Sequence, residues 1–307
     1  MKHCSRLGIT LLSCCAALAL SHAQTPAPSA PGRPATPGVT LAIDTAFTGQ
    51  TDFEARGTSA GGVSIHQYGA RLSVPLPPID RQWFPSVGLR YRHHQLDRDA
   101  GTPLPENLQA LSLALNTYGA LTPDWSLFAS VSPGYANAGS GFTSRGFGVG
   151  VLALASRKFA SDFSGGIGVR YDSLARGSTR ILPIATLDWT PAPAWRAFVG
   201  FPRVGVSWRG SDALSAEFVA DMDFGSFYVT DDPAPAGRNK PALNRTRLEY
   251  QAVRVGPAVT WRASPGFSTR LAAGFVPVLN AEYEQRNYKL KSDRAAGFAS
   301  LELDWKF

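Results

Sequence analysis

The chain has 307 residues, 44% hydrophobic and 17% charged, with 30 glycines and a formal net charge of +7. That composition excludes a disordered chain, and so modest a charge, with no lysine cluster beyond the N-terminal segment, excludes nucleic acid as a partner. The three cysteines are Cys4, Cys14 and Cys15, so the chain after them has no disulfide, thiolate metal ligand or cysteine nucleophile.

Residues 1–23, "MKHCSRLGITLLSCCAALALSHA", have a basic start, an apolar run from Leu7 to Leu20 and small residues at Ser21 and Ala23. They read as a signal peptide. A lipoprotein cut before Cys14 is the alternative, but too few apolar residues precede it. Residues 24–38 are rich in Pro, Ala and Gly, cannot bury a face, and are expected to form an extended periplasmic linker.

From Val39 the chain alternates with period two, and 39–307 is expected to be one all-β domain. Val39, Leu41, Ile43 and Phe47 alternate with Thr40, Ala42, Asp44 and Thr48; later segments repeat the pattern at 66–74, 87–92, 111–116 and 125–132. It continues through 147–155, 167–171, 181–189, 214–222, 248–261, 267–277 and 297–307. The sense of alternation slips near Ala252–Val253, where a bulge is expected. No run approaches the length of a transmembrane helix. Segments of about ten residues, apolar on one face and small or polar on the other, suit the strands of a closed antiparallel transmembrane β-barrel.

The connections alternate in length. Short ones are expected at 77–82, 120–124, 157–162, 190–194, 209–212 and 262–266, and long ones at 49–62, 97–107, 136–144, 173–179, 231–244 and 278–293. The seven tryptophans, among them Trp83, Trp125 and Trp189, all fall near short turns or the C-terminal strand, whereas Tyr91, Tyr135 and Tyr171 fall near long loops. A bilayer sorts amphipathic rings into two belts in this way; a soluble all-β fold has no reason to. Between Trp195 and Trp208 the chain either turns near Pro202 in a hairpin of short strands or runs on as one broken strand, with an extra turn near 223–226. The count is about 12–14 strands, and an even count puts both termini in the periplasm.

The last strand, "LELDWKF", places Leu301, Leu303, Trp305 and Phe307 on one face. It resembles the C-terminal strand that bacterial outer-membrane barrels present to the barrel-assembly machinery, which implies that machinery as a partner. "GLRYRHHQL", "LNTYGALTPDWSLFASVSPGYAN" and "GFPRVGVSWRGSDALSAEFV" are similar to a family of outer-membrane barrels known only as a domain of unknown function, over roughly residues 60–307. The resemblance implies fold and an outer-membrane location in a Gram-negative envelope, with outer-membrane lipid as surroundings, and supplies no catalytic residues.

With the apolar face outward, the inward face holds Arg71, Arg90, Arg92, Arg170, Arg196, Arg203, Arg247, Arg254 and Arg270. It also holds Asp44, Asp172, Asp188, Glu217, Asp221, Asp223, Glu249, Glu302 and Asp304. Arginine suits confined carboxylate pairs because its planar fork makes two bonds at once. The candidate pore-lining set is Arg71, Arg90, Arg92, Arg170, Arg254, Arg270, Glu217, Asp221, Glu249, Glu302 and Asp304. Arg71, Arg90 and Arg92 are expected to project into one region, while most acids come from the C-terminal third. Either a salt-bridged ladder fills the lumen, or a basic wall faces an acidic one across water.

Past the signal peptide the histidines are His66, His93 and His94. His93 and His94 point to opposite faces, so no metal site and no cofactor is expected. A lipid-acting hydrolase built on His66 and a serine has nothing to fix it, and an enzyme is not expected. The expected function is a passive channel or transporter for small polar solutes with an anion bias; the alternative is a closed structural or interaction barrel of the envelope.

Overall fold

A computed structural model describes residues 38–80, 82–139, 141–235 and 240–307. The signal peptide and all of the Pro-rich linker except Gly38 lie outside the described residues, as does the tip of the loop after Val229.

Among the described residues fifteen strands follow one another, with three single-turn 3-10 segments between them. They are β1 Thr40–Ala55, β2 Thr58–Pro75, β3 Trp83–Arg98, β4 Asn107–Ala120, β5 Trp125–Ala138, β6 Phe147–Lys158 and β7 Phe163–Asp172, then β8 Ile181–Ala192, β9 Trp195–Val199, β10 Arg203–Arg209 and β11 Leu214–Val229, and finally β12 Thr246–Ser264, β13 Phe267–Tyr283, β14 Tyr288–Ser292 and β15 Ala296–Lys306. Each pairs antiparallel with its neighbour in sequence up to β13. β15 then pairs with both β13 and β1, with Thr40 opposite Lys306 and Thr48 opposite Phe298, and the sheet closes on itself. β14 also lies between β13 and β1, in line with β15. The two share one stave, so the fifteen strands make a closed barrel of fourteen staves. Closure leaves no unpaired edge at the β1–β15 seam.

The outer surface follows the alternation. Leu111, Leu113 and Leu115 are exposed on β4, as are Ile167 and Val169 on β7 and Phe218 on β11. On a soluble protein so wide an apolar belt would be an aggregation site; here it is the face that lipid covers. The tryptophans gather at the short-turn rim, where Trp195 and Trp208 are register partners and Trp305 packs against Phe267 with ring centroids 5.4 Å apart. The β9–β10 pair is the short hairpin, turning through residues 200–202, and no extra turn breaks β11. The expected bulge is a register shift between Val253 and Val255. There Gly256 and Gly274 allow β12 and β13 to approach, since a Cβ on either would meet a carbonyl oxygen at 2.1 Å.

Two of the expected long loops are instead strand. Residues 49–62 are the ends of β1 and β2, joined by a two-residue turn at Arg56–Gly57 with both φ angles positive. That is the turn whose twist suits a hairpin. Residues 278–293 similarly extend β13 and return as β14. Polar residues at these positions read as loop, but backbone pairing continues past the apolar belt.

These extensions enclose a conventional apolar core. Phe53, Val63, Leu96, Leu108, Leu248, Leu279 and Leu290 pack together inside the loop-end half of the barrel. Leu104 and Leu243 come down from the loops onto them, and the Tyr283 hydroxyl donates to the Pro103 carbonyl at 2.8 Å. That half of the main lumen is packed like the interior of a soluble domain.

Candidate functional site

The interior is organised by β11. Its first half is ordinary wall, paired with β10 as far as Asp221 opposite Arg203. β10 ends there, and the second half of β11, still paired with β12 as far as Val229 opposite Thr246, turns inward. Its tip pairs in parallel with β5, Tyr228 opposite Asn137 and Val229 opposite Ala138. Phe224, Phe227, Tyr228 and Val229 are all buried, so both faces of this stretch are covered. The crossing divides the loop-end lumen into the packed compartment and a side chamber walled by β3–β7.

On the packed side, one carboxylate collects three partners. The Arg92 guanidinium donates to Asp223 Oδ1, Arg254 Nη2 donates to Oδ2 at 3.1 Å, and His94 Nε2 lies 3.2 Å from Oδ2. Arg254 also donates to the Gln67 side-chain oxygen, and His94 is flanked by Phe227 and Tyr250. Strands β2, β3, β11 and β12 are thus tied across the lumen. Nearer the short-turn rim, Glu217 accepts from Arg203 at 2.7 Å and from Arg270 at 2.6 Å. Arg71 donates to Glu302 at 3.2 Å, with Asp304 at 3.9 Å. Asp221 stands between Arg203 and Arg254 in register. Glu249 sits at the loop rim, accepting from the Arg176 amide at 2.9 Å and the Thr179 hydroxyl at 3.0 Å.

The candidate residues therefore separate into groups. Arg71 and Arg90 are register partners, yet Arg71 turns to the β15 acids, Arg92 to Asp223, and Arg90 lines the side chamber. Most of the ionic set forms the salt-bridged ladder rather than two opposed walls. Asp223, His94 and Gln67, which tie its centre, were not in the candidate pore-lining set.

The side chamber is about 150 Å³. Its wall is made of small inward residues: Ser112 on β4, Ser130, Ser132 and Gly134 on β5, Gly148 and Gly150 on β6. Its charged residues are Arg90, Arg92, Arg170 and Asp172. Arg170 is buried, bonds Asp172 through Nη2 at 3.3 Å and lies 5.8 Å from the Phe224 ring, while its Nη1 has no hydrogen-bond partner among the described residues. Among the described residues no strand pairs with the β11 edge from Asp223 to Phe227 on this side, so the backbone polar groups of that edge are left to face the chamber.

A second recess, about 360 Å³, lies at the loop rim between Arg145, Arg176, Tyr228, Arg245, Arg247 and Gln285. Arg247 donates to the Ser173 and Leu174 carbonyls at 2.9 Å, and Leu174 lines the chamber below.

His93 stacks near Tyr68 and Tyr91 on the outer face, opposite to buried His94, and His66 packs on Phe47. No cluster of three or more His, Cys, Asp or Glu side chains able to hold a metal forms among the described residues.

A family model described as "Domain of unknown function (DUF6268)" matches residues 41–297. No curated protein matches. Among solved structures, the COG4313 outer membrane channel from Pseudomonas putida F1 is similar at 11% identity, covering 89% of this chain and 97% of its own, with a TM-score of 0.51. The P. putida toluene transporter TodX matches at 11% identity over 89% of this chain and 91% of its own, TM-score 0.45. The KdgM porin matches at 8% identity over 87% and 99%, TM-score 0.34. The first of these likenesses is one of fold: both chains are outer-membrane-type β-barrels.

Proposed function

The chain belongs to the DUF6268 family, a domain of unknown function, and from that premise we propose that it is a passive outer-membrane channel for small polar solutes, favouring anions. The observation that carries this reading is the side chamber. Its wall is built of glycine and serine where the neighbouring loop-end lumen is packed with apolar side chains, and it holds Arg90 and the partly unbonded Arg170. Guanidiniums beside a confined space set a positive potential that draws anions and repels cations. The fold likeness to a barrel described as an outer membrane channel is in keeping with it. The short-turn rim and both termini face the periplasm, as the tryptophan belt and loop lengths suggest.

Single-channel recording of the purified barrel in planar bilayers is the test. Discrete conductance with a reversal potential on the anion side supports the proposal; a silent, folded barrel rejects it. Single cysteines at Ala100 and Ala160 test the orientation, since only the first should be labelled on intact cells.

The second reading, a closed structural barrel of the envelope, is favoured by the apolar core and by the Asp223 cluster, which together seal the main lumen. It leaves the Gly/Ser wall of the chamber without a reason, and the same recording decides against it if current flows.

A further inference from the structure

We propose that the loop-rim recess is a binding site for a compact multivalent oxyanion of the phosphate-ester class. Arg145, Arg176, Arg245 and Arg247 converge on one space of about 360 Å³. Among the described residues none of the four guanidiniums has a carboxylate within 4.0 Å, whereas elsewhere in the interior Arg71, Arg92, Arg170, Arg196, Arg203, Arg254 and Arg270 each reach one. Three acids lie nearby: Glu249 is engaged with the Arg176 amide and the Thr179 hydroxyl, Asp172 with Arg170 and the Leu174 amide, and Glu284 approaches Arg176 without forming an ion pair among the described residues. Arg145 donates to the Tyr228 hydroxyl at 3.0 Å and Arg247 to two carbonyls, so these two are held in place. Four like charges around one cavity repel one another, and a chain gains nothing in stability by gathering them. An oxyanion with two or more charges relieves that repulsion and accepts the forked bonds that guanidinium groups offer.

The site sits directly over the side chamber, across Leu174. There it would concentrate anions at the outer mouth of the proposed route, and in that role it rests on the channel reading. Binding itself is measured without current, so a barrel that binds but does not conduct is told apart from one that conducts but does not bind.

Two sources could supply such a group, a dissolved phosphate ester or the phosphates of a neighbouring lipid. Titration calorimetry of the detergent-purified full barrel with inorganic pyrophosphate probes the first, and titration with lipid A micelles the second. The variants are Arg176→Gln and Arg245→Gln, whose side chains make no hydrogen bond among the described residues, with Arg157→Gln at the opposite rim as control. Saturable pyrophosphate binding that weakens about tenfold or more in the double variant, and with added salt, supports a site for a dissolved ester. The same loss seen only with lipid A supports the site and assigns it to lipid. No binding of either, or binding untouched by the double variant while heat-modifiable mobility confirms folding, overturns the proposal.

Discussion

Tyr228 and Asn137 face each other in a parallel pair within a barrel whose other strand pairings, among the described residues, are antiparallel. The two strands are far apart in the wall order, and they meet because β11 outlasts β10 and bends across. Asn137 secures the junction: buried, it donates through Nδ2 to the Gly139 and Gly141 carbonyls and accepts from the Thr230 hydroxyl at 3.4 Å.

Asn137→Ala should therefore free the tip of β11 more than it harms the wall. Losing buried hydrogen bonds costs about 1–3 kcal/mol, read as a lower urea midpoint. Hydrogen exchange should quicken at 224–229 first. Uniform quickening along β5 and β11 alike would show that the junction has no separate role.

Asp223→Asn strands two confined guanidiniums, Arg92 and Arg254, which have side-chain exposures of 13% and 12%. Removing one partner of a buried ionic set costs about 3–5 kcal/mol. The triple change Asp223→Leu, Arg92→Met, Arg254→Met removes the stranded charges and should recover part of that loss. An unchanged melting midpoint in Asp223→Asn would show that water, not Asp223, supports the arginines.

Arg90→Glu tests the chamber. Arg90 lines it and has no ion-pair partner among the described residues, so reversing its charge breaks no ion pair and should cost no more than about 1 kcal/mol of stability. The reversal potential should move toward cations. A potential that stays put while current flows would mean that ions pass elsewhere.

The loop between β11 and β12 should loosen in acid. Burial alone would raise the pKa of Asp232, but the Lys240 ammonium at 2.8 Å and the Ala234 and Leu243 amides outweigh it, and the carboxyl is held below its usual value. A lowered folded pKa adds stability that is complete above the unfolded value of about 3.9 and lost as pH falls through the folded one. Proteolysis of this loop should accelerate only below that range, and Asp232→Asn should show the fast rate already at neutral pH. A variant that still slows at neutral pH would remove Asp232 as the cause.

Much of the wall was legible because lipid enforces a simple rule: each strand must be apolar outside, so period two persists, and tryptophan must sit at an interface. The hairpin at Pro202 and the bulge beside Ala252 both showed as breaks in that rule. The crossing of β11 did not, although residues 224–229, "FGSFYV", carry its mark. They are apolar without alternation, which is how a strand covered on both faces reads. The candidate site was legible in residue type and not in grouping. Inward arginines and acids could be listed, but which arginine meets which acid depends on where β11 goes. The loop-rim arginines, Arg145, Arg176 and Arg245, lie in connections, where no periodicity assigns a direction.

The β9–β10 hairpin bears on the surrounding bilayer. Its strands have five and seven residues, or about 17 and 24 Å of backbone at ~3.4 Å per residue. Tilted by about 40°, they rise only about 13 to 18 Å against an apolar band of about 25 Å. Beyond their turn Phe201, Leu182 and Met222 pack around buried Phe224 in place of a paired wall, and among the described residues β8 from Ile181 to Thr186 is paired only with β7. The hydrophobic height of the barrel is therefore uneven around its circumference. Lipids must thin on this side, or the whole barrel must lean toward it. In bilayers of graded acyl length, the low side sets the preferred thickness, and the cost of a thicker membrane falls on β8.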